Sequence, residues 1–304
     1  MKVLYVAGSG RSGSTILDNI LGQLDGVVAV GEVRFLWERG MVEDRTCGCG
    51  AAFSACPFWT AVLERAFGGS AGVDPRRMMA LLARGTRARH VPRLVGSPTR
   101  RRRFVAGLDE LPATLHALYE AIAAESGAEV IVDSSKLPTY GAVLGEVPGI
   151  EVSTLHLLRD PRAAGYSWLR RKPLPDKPGA VMQRQGPLHS AALWTLWNAT
   201  AEALGRGSAS YRRLRYEDLI AEPEPQVRAI AAWVGRELHP SPFVAPDRVR
   251  LAPAHGVAGN PSRFTTGEVT LREDDAWRTE LRRADRWRID AVTWPLLVRH
   301  GYVG

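Results

Sequence analysis

The sequence predicts a three-layer α/β domain built on a mainly parallel central sheet. Three observations carry that expectation. Short apolar runs near 3–7, 27–30, 129–133, 152–158 and 210–215 alternate with stretches of helical periodicity. The first run passes through a glycine loop directly into a helix, Val3 to Gly22. The first, third and fourth runs end in polar or basic residues, and strand carboxyl ends are where such sheets bind ligands.

The composition agrees. A chain of 304 residues is long enough for an ample core, and 45% hydrophobic content is ordinary for a globular protein. One domain is expected over residues 1–304, with a helical, basic insertion at about 57–127 and closing helices at about 274–300. The net charge of +8 points to anionic ligands. No apolar run reaches the roughly 18 residues of a membrane span. The apolar stretch at the amino terminus is too short for a signal peptide, so a cytoplasmic protein is expected.

Taken in order, Val3 to Ala7 reads as a buried strand, and Gly8, Gly10 and Gly13 then punctuate a loop rich in Ser and Thr. Ile16, Leu17, Ile20 and Leu21 mark the helix that follows. A helix amino terminus presents free N–H groups and about half a positive charge, which makes an anion cradle. A Walker A loop needs lysine where this chain has Ser14, and the loop's cation is Arg11. The spacing Gly8-x-Gly10-x-x-Gly13 also matches a dinucleotide fingerprint, without a clear acidic residue ending a second strand. Val27 to Val30 is the second strand and ends at Gly31-Glu32-Val33-Arg34. Cys47, Cys49 and Cys56 follow within one short segment. An odd, clustered set argues against a disulfide framework, and no histidine within the segment completes a zinc site. The segment therefore reads as a tight loop of reduced thiols, with a Cys56 bond to Cys47 or Cys49 as the alternative, and no metal is assigned.

Residues 57–127 read as helices broken at Gly68-Gly69, Pro75, Gly96 and Pro112. Their arginines, Arg84 to Arg103, read as a solvated face, with a basic lid as the alternative. The third strand ends in Asp133-Ser134-Ser135-Lys136-Leu137-Pro138. The fourth runs into Arg159-Asp160-Pro161, where proline suits a first helical turn and Arg159 offers a planar fork of donors for phosphate. Ser167 falls two turns into that helix. Arg170 to Pro178 is a basic, proline-broken loop, and residues 188–205 form an amphipathic helix with Leu193, Trp194, Leu196 and Trp197 turned inward or toward the site. A strand then leads to Tyr216-Glu217-Asp218-Leu219, and Pro223 starts a helix to about Val234. Residues 255–267 read as a loop. Asp274 to His300 reads as two helices interrupted near Asp285, with Trp277, Trp287 and Trp294 packing.

The run Arg11-Ser12-Gly13-Ser14-Thr15 resembles the 5′-phosphosulfate loop of sulfotransferases that use 3′-phosphoadenosine 5′-phosphosulfate (PAPS), and Arg159 with Ser167 eight residues on resembles their 3′-phosphate motif. The resemblance implies a P-loop-like fold and a sulfuryl transfer from PAPS to a hydroxyl-bearing acceptor, with 3′-phosphoadenosine 5′-phosphate leaving. It implies that Gly10, Arg11, Ser12, Gly13, Ser14, Thr15, Arg159 and Ser167 hold the nucleotide, together with Tyr216 and Arg263. Asn260 and Ser262 are weaker candidates in the same late loop. The Gly31-Glu32 segment is similar to one in protein-tyrosine sulfotransferases that supplies the base, which makes Glu32 the candidate. Cytosolic sulfotransferases carry a histidine where this chain has Lys136, and that departure turns Lys136 into a candidate for stabilising charge, with Arg11. The Cys-Gly-Cys segment is similar to one in bacterial members. His255, His189 and His116 remain further base candidates. The rival readings are a P-loop kinase using ATP and Mg²⁺, and a basic nucleic-acid-binding module. The second lacks the interleaved aromatics such binding uses.

Overall fold

The apolar run at the amino terminus forms β1 (Lys2–Ala7), the middle strand of the sheet in the computed structural model, which describes residues 1–177 and 179–303. Four parallel partners complete that sheet: β2 (Val27–Gly31), β3 (Val130–Lys136), β4 (Glu151–Leu158) and β5 (Tyr211–Arg215). Their order is β2-β3-β1-β4-β5, with Lys2 in register with Val130 on one side and Glu151 on the other. All five expected strands are present. Successive β1 side chains point to opposite faces. Val3 and Tyr5 enter one apolar core and Leu4 and Val6 the other, so both faces are covered and a continuous apolar run is stable here.

Helix α1 (Ser14–Leu21) lies on the face that Leu4 and Val6 enter. The expected insertion between β2 and β3 is α2 (Pro57–Phe67), α3 (Pro75–Thr86), α4 (Val91–Val95), α5 (Pro98–Ala106) and α6 (Leu111–Ser126). Trp59 of α2 and Leu115 and Ile122 of α6 build the core on the opposite face. Arg84 pairs with Asp109 and Arg101 with Glu146, while Arg87, Arg89, Arg93, Arg100 and Arg103 are exposed, so this basic stretch is the solvated face expected. None of its arginines lines the cleft described below, so it is no lid.

After β3 come α7 (Pro138–Leu144), α8 (Pro161–Leu169) following β4, and α9 (Pro187–Gly205). Helices α10 (Tyr216–Ala221) and α11 (Pro223–Trp233) follow β5. A second, antiparallel sheet of β6 (Phe243–Ala245), β7 (Arg248–Leu251) and β8 (Gly267–Thr270) was not expected. Its strands are too short to show alternation, yet Val249 and Leu251 are buried beside α1's core.

The closing helices are α12 (Trp277–Glu280) and α13 (Arg283–Arg299), and the break falls at Leu281-Arg282 rather than near Asp285. Asp285 instead occupies the first turn of α13, where its charge suits the helix dipole. Trp277 is buried, but Trp287 and Trp294 are 72% and 55% exposed. The helix buries Ile289, Thr293, Leu296 and Leu297, and two tryptophans seven residues apart share the opposite stripe. Pro178, the end of the expected basic loop, lies outside the described residues. No helix among the described residues is long and apolar enough to cross a membrane.

Candidate active site

The loop after β1 closes on itself through two left-handed residues, Arg11 (φ 68°) and Gly13 (φ 87°). Gly13 is the residue before α1, and no side chain among the described residues caps that helix, so its first-turn amides are left for a ligand. A Cβ at Gly13 would come 2.3 Å from the Tyr216 ring, so both conformation and space demand glycine. Ser12 is 1% exposed, and neither its hydroxyl nor Arg11 Nε finds a partner among the described residues. The Arg11 guanidinium lies 4.4 Å over the Trp168 ring and donates to Met182 Sδ at 3.2 Å.

The second expected phosphate motif lies at the start of α8. Asp160 caps the helix by accepting from Arg162 N, and Pro161 occupies the first turn, leaving Arg159 at the carboxyl end of β4. Arg159 Nη1 donates to the Arg11 carbonyl at 3.2 Å, across 148 residues of chain. Its Nη2 donates to Asp274 O, its plane lies 4.6 Å over Tyr216, and its Nε is buried without a partner among the described residues. The two motifs therefore share one cleft of about 790 Å³, lined by Gly10 to Thr15, Arg159 and the buried Ser167. Leu193, Trp194 and Trp197 of α9 line it too, as does the basic loop at Lys172 and Lys177.

Glu32 and Lys136 enter this cleft from neighbouring strand ends, because β2 pairs with β3 with Gly31 opposite Asp133. Lys136 sits at φ 66°, and its ammonium lies 2.8 Å from Glu32 Oε1 while donating to Ser14 Oγ at 3.2 Å. The lysine missing from the Walker spacing thus arrives in space from β3, against the very position it would have occupied. Burial acts to raise the Glu32 pKa, but Lys136, with Arg34 and Arg39, outweighs it and holds the carboxyl below its usual value. Asp133, directly behind, is fully buried; it accepts from Tyr119 Oη and Ser135 N and does not line the cleft. Its carboxylate is thus committed inside the protein, where a Walker B aspartate would face a nucleotide. No histidine among the described residues lines the cleft: His116 contacts the Pro148 carbonyl, and His189 is exposed.

Two carried-over residues stand elsewhere. Tyr216 does not line the cleft; its ring buttresses Gly13 and its hydroxyl donates to Arg272 O at 3.5 Å. Arg263 is buried in an ion pair with Asp176 at 2.8 Å, whereas the weaker candidates Asn260 and Ser262 do line the cleft. Arg39, Phe35 and Trp168 also line it, and no local pattern marked them. Arg34 and Arg39 each lie over the Phe35 ring, at 3.8 and 3.9 Å. Outside the cleft, His255 stands beside the three cysteines, supplying in space the fourth donor that their own segment lacks.

Comparison with known proteins agrees with this architecture. A family profile described as the sulfotransferase family matches residues 4–240. Among solved structures, the chain is similar to the sulfotransferase domain of the Synechococcus PCC 7002 olefin synthase, with 18% identity and a TM-score of 0.52 over 97% of this chain and 94% of that one. It is also similar to a sulfotransferase domain from the curacin biosynthetic pathway, with 15% identity and a TM-score of 0.51 over 95% and 96%. No curated protein sequence matches it.

Proposed function

Because the chain belongs to the sulfotransferase family, we propose that it moves a sulfuryl group from PAPS to the hydroxyl of a small molecule, glycan or natural product. The observation that carries this reading is the hydrogen bond from Arg159 to the Arg11 carbonyl. It sets the two candidate anion-binding motifs side by side in one cleft, which suits a single ligand phosphorylated at two places. The buried donors left without partners among the described residues fit such a ligand: Ser12 Oγ, Arg11 Nε and Arg159 Nε.

When bound, PAPS supplies the sulfuryl group and departs as 3′-phosphoadenosine 5′-phosphate. The amides of Gly13 to Thr15 and the Ser12 hydroxyl hold the 5′ end, and Arg159 with Ser167 holds the 3′-phosphate. Glu32, ionised at neutral pH because of Lys136, accepts the proton of the acceptor hydroxyl. Arg11 and Lys136 stabilise the negative charge that builds on the oxygens of the departing phosphate. Arg34, Arg39 and Phe35 line the wall beside Glu32 and favour an acceptor that carries an acidic or aromatic group near its hydroxyl.

Calorimetry with 3′-phosphoadenosine 5′-phosphate tests the reading. One nucleotide per chain is expected, lost in Arg159→Ala, and labelled PAPS should then pass its label to an acceptor from an extract. Tight binding of ATP with Mg²⁺, with none of the bisphosphate, would overturn it in favour of a kinase.

A further inference from the structure

Three sulfur atoms and one imidazole nitrogen converge outside the cleft. Cys47 and Cys49 sit on a tight loop closed by Cys47 N to Ala51 O at 2.8 Å and Gly50 N to Cys47 O at 2.9 Å. Cys56 is the residue before α2, and His255 comes from the late loop, 208 residues beyond Cys47. Cys56 Sγ lies 3.6 Å from Cys47 Sγ, 3.7 Å from Cys49 Sγ and 3.3 Å from His255 Nδ1. Cys47 Sγ lies 3.9 Å from the same nitrogen, and all four atoms fall within 4.8 Å of one another.

The four separations from 3.3 to 3.9 Å are close to the edges of a zinc tetrahedron. With Zn–S near 2.3 Å and Zn–N near 2.0–2.1 Å, the edges come to about 3.8 Å for S···S and about 3.5 Å for S···N. A disulfide needs its sulfurs at about 2.05 Å, and the three thiols here share one centre rather than forming a pair. Thiolates with one imidazole in tetrahedral array select zinc among common divalent ions.

The surroundings fix the donors. Cys47 and Cys56 are wholly buried. The Phe58 ring stacks on His255 with centroids 4.8 Å apart, and Trp59 Nε1 donates to the His255 carbonyl at 2.8 Å. A Cβ on Gly48 would stand 2.6 Å from the Ala254 carbonyl, so glycine between the first two cysteines is what lets the loops meet.

We propose that Cys47, Cys49, Cys56 and His255 Nδ1 bind one Zn²⁺ in a closed, structural site. Three thiols give up their protons to solvent as the metal binds. With four protein donors no coordination position remains for substrate, so the ion acts as a fastener. What it fastens is the late loop to the cysteine segment, and two residues further on, the late loop meets the end of β2. Val257 N donates to Val30 O at 3.0 Å, two residues before Glu32, and Asn260 and Ser262 further along the loop line the cleft.

Elemental analysis of protein purified without chelator, then incubated with Zn²⁺ and desalted, is expected to give about one zinc per chain. Cobalt substitution should produce the intense visible bands of a tetrahedral thiolate site. Cys47→Ser/Cys56→Ser is expected to hold less than about a tenth of an equivalent, while His255→Cys, which keeps four donors, retains the metal. Wild-type protein that binds less than about a tenth of an equivalent after Zn²⁺ incubation would overturn the proposal. So would a cobalt spectrum lacking thiolate bands. If the double variant is insoluble, the wild-type cobalt titration decides alone.

Discussion

The Lys136 ammonium lies 2.8 Å from the Glu32 carboxylate, and both groups are largely buried at adjacent strand ends. The pair joins the proposed base to the proposed charge stabiliser. Glu32→Gln keeps the shape and removes the proton acceptor. It is expected to bind 3′-phosphoadenosine 5′-phosphate unchanged and to lose roughly 10²- to 10⁴-fold in kcat. Retained turnover would return the base role to another residue.

The same pair sets an acid limb. With its pKa held below the usual carboxylate value, Glu32 is ionised through the neutral range, and kcat/KM should fall only in acid. Lys136→Met removes the strongest opposition to burial, so the Glu32 pKa should rise and the acid limb should move to higher pH. A pH profile of the variant's residual activity, unshifted or shifted downward, would contradict this account.

Arg159 is expected to be the least replaceable nucleotide contact. Its fork already contributes one donor to the Arg11 carbonyl, so Arg159→Ala loses a phosphate ligand and loosens the loop bearing the other. A loss of roughly 10²-fold or more in affinity follows from charge-assisted bonds of about 1.5–3 kcal/mol each. Arg159→Lys should recover only part, because a point charge lacks the planar fork. Calorimetric titration of both variants checks this.

How much of this was legible in the chain depends on distance along it. The residues of the loop at 8–15 and the pair Arg159 and Ser167 are local patterns, and each falls on the cleft wall. That Glu32 meets Lys136 was not legible as geometry, because it depends on β2 lying beside β3, an order no periodicity encodes. His255 beside the cysteines, and Arg263 beside Asp176, are likewise products of folding at separations of 208 and 87 residues. The antiparallel sheet of β6, β7 and β8 escaped because three- and four-residue strands carry too few alternations. Trp287 and Trp294 misled because size and apolarity were read without the face of α13 they occupy.

Asp18 makes stability fall as pH rises. It is buried in α1, and burial, with the Asp133 charge, pushes its carboxyl up to about 8. In the unfolded chain an aspartate titrates near 4. Between those values the folded state holds the extra proton, so the favourable contribution is complete below about pH 4 and is lost by about pH 8. Asp18→Asn removes the titration, and its thermal midpoint should change less between pH 5 and 8 than that of the wild type, as calorimetric scans would show. Parallel curves would assign the slope to other groups.

Arg263 presents the last test, because two roles for it predict opposite double variants. Its guanidinium donates to Asp176, the Gly259 carbonyl and the Thr46 carbonyl, and the two charged side chains are 5% and 1% exposed. The ion pair therefore ties the basic loop to the late loop. Breaking a buried pair by removing one partner costs about 3–5 kcal/mol, since the other charge is stranded. Arg263→Met and Asp176→Leu should each lower the denaturation midpoint strongly, and together they should cost far less than the sum. Nucleotide affinity should follow the same pattern, recovering in the double variant. If Arg263 instead contacts phosphate directly, affinity stays low in the double variant even where stability returns, and Asp176→Leu alone leaves binding intact.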